Sequence, residues 1–227
     1  MKIINSSNLL KKYIELYNIN AIFSDNLEKY MSLYQFKKGE HLFTSSEKVN
    51  YFYLLVSGGT KIVLNLENGK SLLIDYSKPL EMLGEMEIIN SPYSKYDIIA
   101  TEDTTVIGIS MSIFSKLIAD DPKFWKYLYN STLNKLQATV NSNIISSSYS
   151  FEHVLANYII AHSVEKGDKI LLESTSFNDL SQILGTSYRH LNRVLKKFID
   201  KGLIIKDNRR IIVVDYEKLS KYYIELY

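Results

Sequence analysis

Residues 176–199 read as two short amphipathic helices on either side of one glycine, and no other stretch restricts the fold as tightly. Ser176 is placed to cap the first helix, with Asp179 in its first turn. Leu180, Ile183 and Leu184 give that helix an apolar side. Gly185 then permits the sharp turn that a helix-turn-helix needs. Ser187 is placed to cap the second helix, and Leu191, Val194, Leu195 and Phe198 recur at helical spacing as its buried side. Tyr188, Arg189, Asn192, Arg193 and Lys196 fall together on the other side. These are cations and hydrogen-bonding groups of the kind that read base edges and hold phosphates. Arg grips guanine O6 and N7 bidentately, and Asn does the same for adenine. The first residues of a recognition helix usually reach the bases, so Tyr188, Arg189 and Arg193 lead the candidates. His190 lies in the same helix and is read as a phosphate contact.

Residues 203–214 form two short β runs around Lys206-Asp207-Asn208-Arg209-Arg210, a predicted hairpin or wing with Arg209 and Arg210 placed to meet phosphates. A lone Arg would be an ordinary surface charge. Five polar residues on one helical face, behind a glycine turn and beside a basic hairpin, point to DNA. The charge distribution agrees with this. Residues 176–227 hold ten Lys and Arg against six Asp and Glu, whereas the rest of the chain holds 17 against 19. A basic quarter on a near-neutral body suits a polyanion partner, although it also suits a solvated surface. The predicted DNA-binding set is Ser187, Tyr188, Arg189, His190, Asn192, Arg193, Lys196, Arg209 and Arg210.

Upstream, residues 1–31 are expected to be helical, since Leu9, Leu10, Tyr13, Ile14 and Tyr17 keep helical spacing, with a second short helix at 26–31. From Leu33 to Ile109 short apolar runs alternate with turn residues. The runs are 51–57, 61–66, 71–76, 97–101 and 105–109, and Asn68-Gly69 suits a tight hairpin turn between two of them. Such a pattern indicates a β-barrel or jelly roll. Residues 111–119 read as a short helix, after which Asp121 and Pro122 suit the cap and first position of a long one over 122–146. Trp125, Tyr129, Leu133, Leu136 and Val140 form an apolar seam on it, suited to pairing with a second helix or to packing on its own barrel. A hinge is expected at 146–150, followed by a helix over 152–164.

With these elements in place, the chain resembles the Crp/Fnr family of regulators. The stretch from Phe177 through Ser187-Tyr188-Arg189-His190-Leu191 to Leu195 looks like the family's winged helix-turn-helix signature, and its core is most similar to the YeiL-like branch. Lys38-Gly39-Glu40, the run from Tyr53 to Gly58, and Leu83-Gly84-Glu85 look like the family's cyclic-nucleotide-binding-type β-roll. The resemblance implies an α+β architecture: an N-terminal effector or sensor roll over 1–121, a dimerisation helix and hinge over 122–148, and a DNA-binding winged helix-turn-helix over 149–227. It also implies a homodimer on a palindromic double-stranded site, contact with RNA polymerase if the protein activates, and a small-molecule effector of undefined chemistry. In the family, a Glu after Gly holds the ribose and an Arg-Ser pair about ten residues later binds the cyclic phosphate. Gly84 and Glu85 are present, but Lys95 and Tyr96 stand where that pair is expected. Lys lacks the bidentate fork of Arg, so cyclic nucleotide binding is not expected, while a cyclic-nucleotide-responsive regulator is the alternative reading.

The chain has no Cys, which excludes disulfides, thiolate zinc sites, cysteine nucleophiles and Cys-ligated iron–sulfur clusters. No secretory leader or membrane span is read, so a cytoplasmic protein without membrane partners is expected. A cupin-like enzyme would need clustered metal ligands, but His41 stands apart from His153, His162 and His190, and no phosphate loop or nucleophile motif occurs. No catalytic residue, cofactor or metal is therefore assigned. A ligand-binding module with a degenerate DNA domain is the remaining rival, and the intact basic face argues against it.

Overall fold

β4 (Tyr51–Ser57) is buried along almost its whole length, because its sheet is covered on both faces. The computed structural model describes residues 1–227 except Asp168, Ser174, Thr175, Arg209 and Tyr227, and except the side chains of Lys166 and Glu173. In chain order the elements before β4 are β1 (Lys2–Ile4), α1 (Ser7–Leu16), the 3-10 turns Ile19–Ile22 and Glu28–Tyr30, β2 (Ser32–Phe36) and β3 (His41–Phe43). After β4 come β5 (Thr60–Asn65), β6 (Ser71–Ser77), β7 (Met82–Leu83), α2 (Glu85–Ile89), β8 (Asp97–Ala100), β9 (Thr104–Ser110) and α3 (Met111–Ile113), which a π-turn continues over Phe114–Ile118. Two antiparallel sheets result, ordered β1-β2-β9-β4-β7 and β3-β8-β5-β6. The period of two sends Phe52, Leu54 and Val56 into a core with α1 and Phe114, and sends Tyr53 and Leu55 into the roll interior with Phe36, Phe43 and Val106.

Helix α4 (Pro122–Ser148) begins at Asp121. The Asp121 carboxylate accepts from the backbone N–H of Lys123 at 2.9 Å, from that of Ser24 at 2.8 Å and from Ser24 Oγ at 2.6 Å. Burial alone would raise its pKa. The Ser24 and helix-start hydrogen bonds outweigh burial and hold the carboxyl below its ordinary value. Asp121 thus caps the helix and fastens it to the loop after α1.

The chain forms two compact units, Met1–Thr132 and Leu133–Tyr227, whose border falls inside α4. The second unit holds α5 (Phe151–His162), β10 (Val164–Lys166), β11 (Lys169–Glu173), α6 (Phe177–Ile183), α7 (Tyr188–Asp200), β12 (Ile204–Asp207), β13 (Arg210–Val213) and α8 (Tyr216–Ser220). Leu155, Ile159, Leu180, Leu191, Leu195, Phe198 and Ile211 make its core.

Several expectations need correction. The first residues are a strand, not a helix: Lys2 to Ile4 pair with Gln35 to Leu33, and β-branched Ile3 and Ile4 suit that ladder. The helix expected at 26–31 is one 3-10 turn. The hairpin at Asn68-Gly69 closes by a longer loop, with Gly69 N bonded to Leu66 C=O and Leu66 N to Lys70 C=O. α4 runs on through Ser148, so only Tyr149 and Ser150 break the helical path. α5 stops at His162, and Val164 starts a strand. The hairpin expected over 203–214 is present as the antiparallel pair β12 and β13, and it belongs to a four-stranded sheet, β10-β11-β13-β12.

Candidate nucleic-acid interface

The helix-turn-helix is built by contacts between near neighbours. Ser176 Oγ accepts from Asp179 N at 3.0 Å, and Ser187 Oγ accepts from His190 N at 3.2 Å. Each such cap contributes about 1 kcal/mol. Between the caps, Gly185 takes φ +61°, and Thr186 N returns to Ser181 C=O at 2.9 Å to close α6. Leu191, Val194, Leu195 and Phe198 are all buried, which fixes the rotation of α7 about its axis.

That rotation leaves Tyr188, Arg189, Arg193 and Lys196 exposed and Asn192 half-buried on one side of α7. Five of the nine residues expected at DNA are therefore brought together. The Ser187 hydroxyl is used as the cap. His190 is turned away from the others. Its ring lies 4.8 Å from that of Phe151, and Nδ1 is 3.4 Å from Thr186 Oγ1. Arg210 is exposed on β13, and its ladder partners are Glu173 and Asp207. Arg209 lies outside the described residues.

Lys206 on β12 is a residue that sequence reasoning passed over. Its Nζ donates to Asn192 Oδ1 at 3.1 Å and sits 4.0 Å from the Phe177 ring centroid, a cation–π contact. The partners come from α6, α7 and β12, so no local pattern announces them.

Behind the exposed face, Lys197 Nζ bonds Glu152 Oε1 at 2.6 Å and ties α7 to the first turn of α5. The Lys197 bond, with the helix-start N–H, pulls the Glu152 pKa down to about 2. A depressed carboxylate pKa adds stability above the unfolded value of about 4.3 and loses it as pH falls towards 2. We expect the thermal midpoint of Glu152→Gln to lie slightly below wild type at neutral pH and to converge with it near pH 2. A constant gap from pH 7 to pH 2 would contradict this.

In the roll, Gly84 precedes α2, Glu85 is half-buried at the helix start, Tyr96 is half-buried and Lys95 is exposed. Buried Ser94 donates to Tyr96 C=O at 2.9 Å. Glu87 has its pKa raised, first by burial and further by the charge of Glu85. Around them the roll interior is filled by rings. Tyr53 lies 5.7, 6.0 and 5.6 Å from Tyr34, Phe36 and Phe43. Gly108 makes this possible, since a Cβ there would stand 2.6 Å from the Tyr34 ring and 2.8 Å from the Tyr53 ring. Alternating aromatics at Tyr34 and Phe36 and at Tyr51 and Tyr53 carried that signal in the sequence.

On α4, Tyr129, Leu133, Leu136 and Val140 are exposed to solvent, and Ile144 continues the stripe. Trp125 differs. Its Nε1 donates to Ala119 C=O at 2.6 Å, and its ring meets Phe114 and Phe124 edge-on, so it is seated largely on its own roll.

Two family models match the chain: a cyclic nucleotide-binding domain over residues 33–121 and a Crp-like helix-turn-helix domain over 155–222. Among curated relatives, regulatory protein YeiL of Escherichia coli O157:H7 is 25% identical over 194 residues, covering 86% of each chain. A CRP-like cAMP-activated global transcriptional regulator of Mycobacterium tuberculosis is 20% identical, covering 86% of this chain and 89% of its own. The solved structure of FixK2 from Bradyrhizobium japonicum superposes with TM-score 0.73 at 17% identity, over 87% of this chain and 99% of its own. At that identity the likeness establishes the fold: a cyclic-nucleotide-binding-type roll, a long helix and a helix-turn-helix.

Proposed function

Because the chain belongs to the Crp/Fnr family of transcriptional regulators, we propose that it binds a palindromic double-stranded DNA site as a homodimer. α7 enters the major groove, and the sheet holding β12 and β13 lies along the backbone. The observation that carries this reading is the single exposed face of Tyr188, Arg189, Arg193 and Lys196, with Asn192 at its edge, on a helix whose other face is fully buried. Ser187 and Arg210 are assigned to phosphates, as is Arg209, which lies outside the described residues. His190, whose ring is tilted against that of Phe151, supports α7 from behind. Functionally the chain divides into a sensor roll over 1–121, a dimerisation helix over 122–148 and a DNA-binding part over 149–227. The two copies pair through the α4 stripe, and two-fold symmetry places half-site centres roughly 34–36 Å apart. The protein acts in the cytoplasm and meets RNA polymerase where it activates. Selecting duplexes from a random pool with the purified protein tests the whole reading: an inverted repeat with one-turn spacing supports it, and no enrichment sinks it.

The effector is not a cyclic purine nucleotide. Lys95, at the position expected to bind the cyclic phosphate, is turned to solvent and lacks the bidentate fork of Arg. The rings of Tyr34, Phe36, Phe43 and Tyr53 occupy the interior as well. Calorimetry with cyclic AMP or cyclic GMP should give no saturable heat. Tight binding that is lost on Glu85→Ala would overturn this.

A further inference from the structure

Asn192 looks from sequence like an adenine reader, because an amide offers one donor and one acceptor to adenine N7 and N6. Its surroundings change that. Nδ2 donates to Tyr188 C=O at 2.9 Å, and Oδ1 accepts from Lys206 Nζ at 3.1 Å. A carbonyl only accepts and an ammonium only donates, so the amide cannot be flipped without losing both bonds. Phe177 holds the ammonium from beneath at 4.0 Å. Among the described residues, the second Nδ2 hydrogen and the remaining ammonium hydrogens are left open as donors, while Oδ1 keeps one lone pair that lies beside the Lys206 ammonium. An adenine or cytosine amino group brought to this edge would point its hydrogens at a cation.

We infer that Asn192 and Lys206 act together as a donor-rich reader that favours the acceptor edges of guanine (O6, N7) or thymine (O4) and disfavours the amino-bearing edges of adenine and cytosine, whose hydrogens would meet the ammonium held at Oδ1. Lys206 is then a specificity-determining residue delivered by the wing to the recognition helix, and not one more phosphate contact. The inference rests on α7 being the groove-reading helix.

The test is selection from a random duplex pool with wild type, Asn192→Ala, Lys206→Met and Lys206→Arg. The position read by Asn192 is the one whose preference flattens in Asn192→Ala. Wild type should favour guanine or thymine there. Lys206→Met keeps the stem against Phe177 but frees Oδ1, so adenine should rise about fivefold or more relative to guanine and thymine. Lys206→Arg should keep the wild-type preference. Circular dichroism checks that each variant is folded, and Lys206 is exposed, so folding should be retained. Weaker binding by Lys206→Met with unchanged base preference would make Lys206 a phosphate contact and overturn the inference. Adenine preference in wild type, or no flattened position in Asn192→Ala, would overturn it too. If wild type enriches no duplex, the DNA-binding reading fails first and this inference falls with it.

Discussion

The double variant Leu136→Asp, Val140→Asp should be a folded monomer whose affinity for a two-half-site operator falls by about 10²–10⁴. Leu136 and Val140 are 57% and 42% exposed in the single chain, so no core contact is lost when they become charged. The loss falls on the paired state. In a two-fold interface near its axis each residue meets its own copy, so two carboxylates would oppose each other at each of two levels of the seam. Tyr129, Leu133 and Ile144 extend the same stripe over about four turns, a length that a stable helix pair can use. Without the pair, each DNA-binding unit must engage its half-site alone, and the advantage of tethering disappears. Sedimentation at about micromolar concentration, alongside far-ultraviolet circular dichroism, checks the result. A persisting dimer would place the interface elsewhere. Trp125 is the useful contrast: its indole is bonded to Ala119 and wedged against Phe114 and Phe124, so Trp125→Ala should destabilise the roll more than it weakens pairing.

The helix-turn-helix was readable because its determinants are local. Ser176, Gly185 and Ser187 each act on groups within a few residues, and the buried spacing of Leu191 to Phe198 is one unbroken helical period. β4 and β9 were readable as apolar runs for the same reason. What escaped lies in contacts between distant segments. β1 is a strand only because β2, some thirty residues on, offers it an edge. β10 is short and starts two residues after the end of α5, so Val164 looks like the end of that helix. At the interface, spacing put His190 among the polar residues at DNA, but its position on α7 turns it to Phe151. Spacing also put Asn192 on the side of α7 that carries Tyr188, Arg189 and Arg193, yet it carried nothing about Lys206, which arrives from another element and bonds the amide oxygen.

Arg189→Ala and Arg210→Ala should fail in different ways. Arg189 is exposed in the first turn of α7, where a helix entering the major groove meets base edges. A guanidinium there can hold guanine O6 and N7 at once, and losing it should cost about 1–3 kcal/mol on the preferred duplex. Because each half-site uses one copy, preference should blur at one base pair per half-site, and a scrambled duplex should be bound nearly as before. Arg210 stands on β13 beside Asp207 in the ladder, on the element assigned to the backbone. Phosphates are the same for every sequence, so its loss should weaken preferred and scrambled duplexes alike. Each phosphate contact releases counterions, so the dependence of log affinity on log salt should also flatten by roughly one. The acidic neighbour fixes the sign of a second readout. Asp207→Asn removes a negative charge from the DNA-facing edge and should tighten both duplexes together, most at low salt, where exposed charges are least screened. Titrating each variant against both duplexes at several salt concentrations separates the outcomes. An equal loss on both duplexes for Arg189→Ala would make it a phosphate contact, and the reading face would then have to be sought elsewhere on α7.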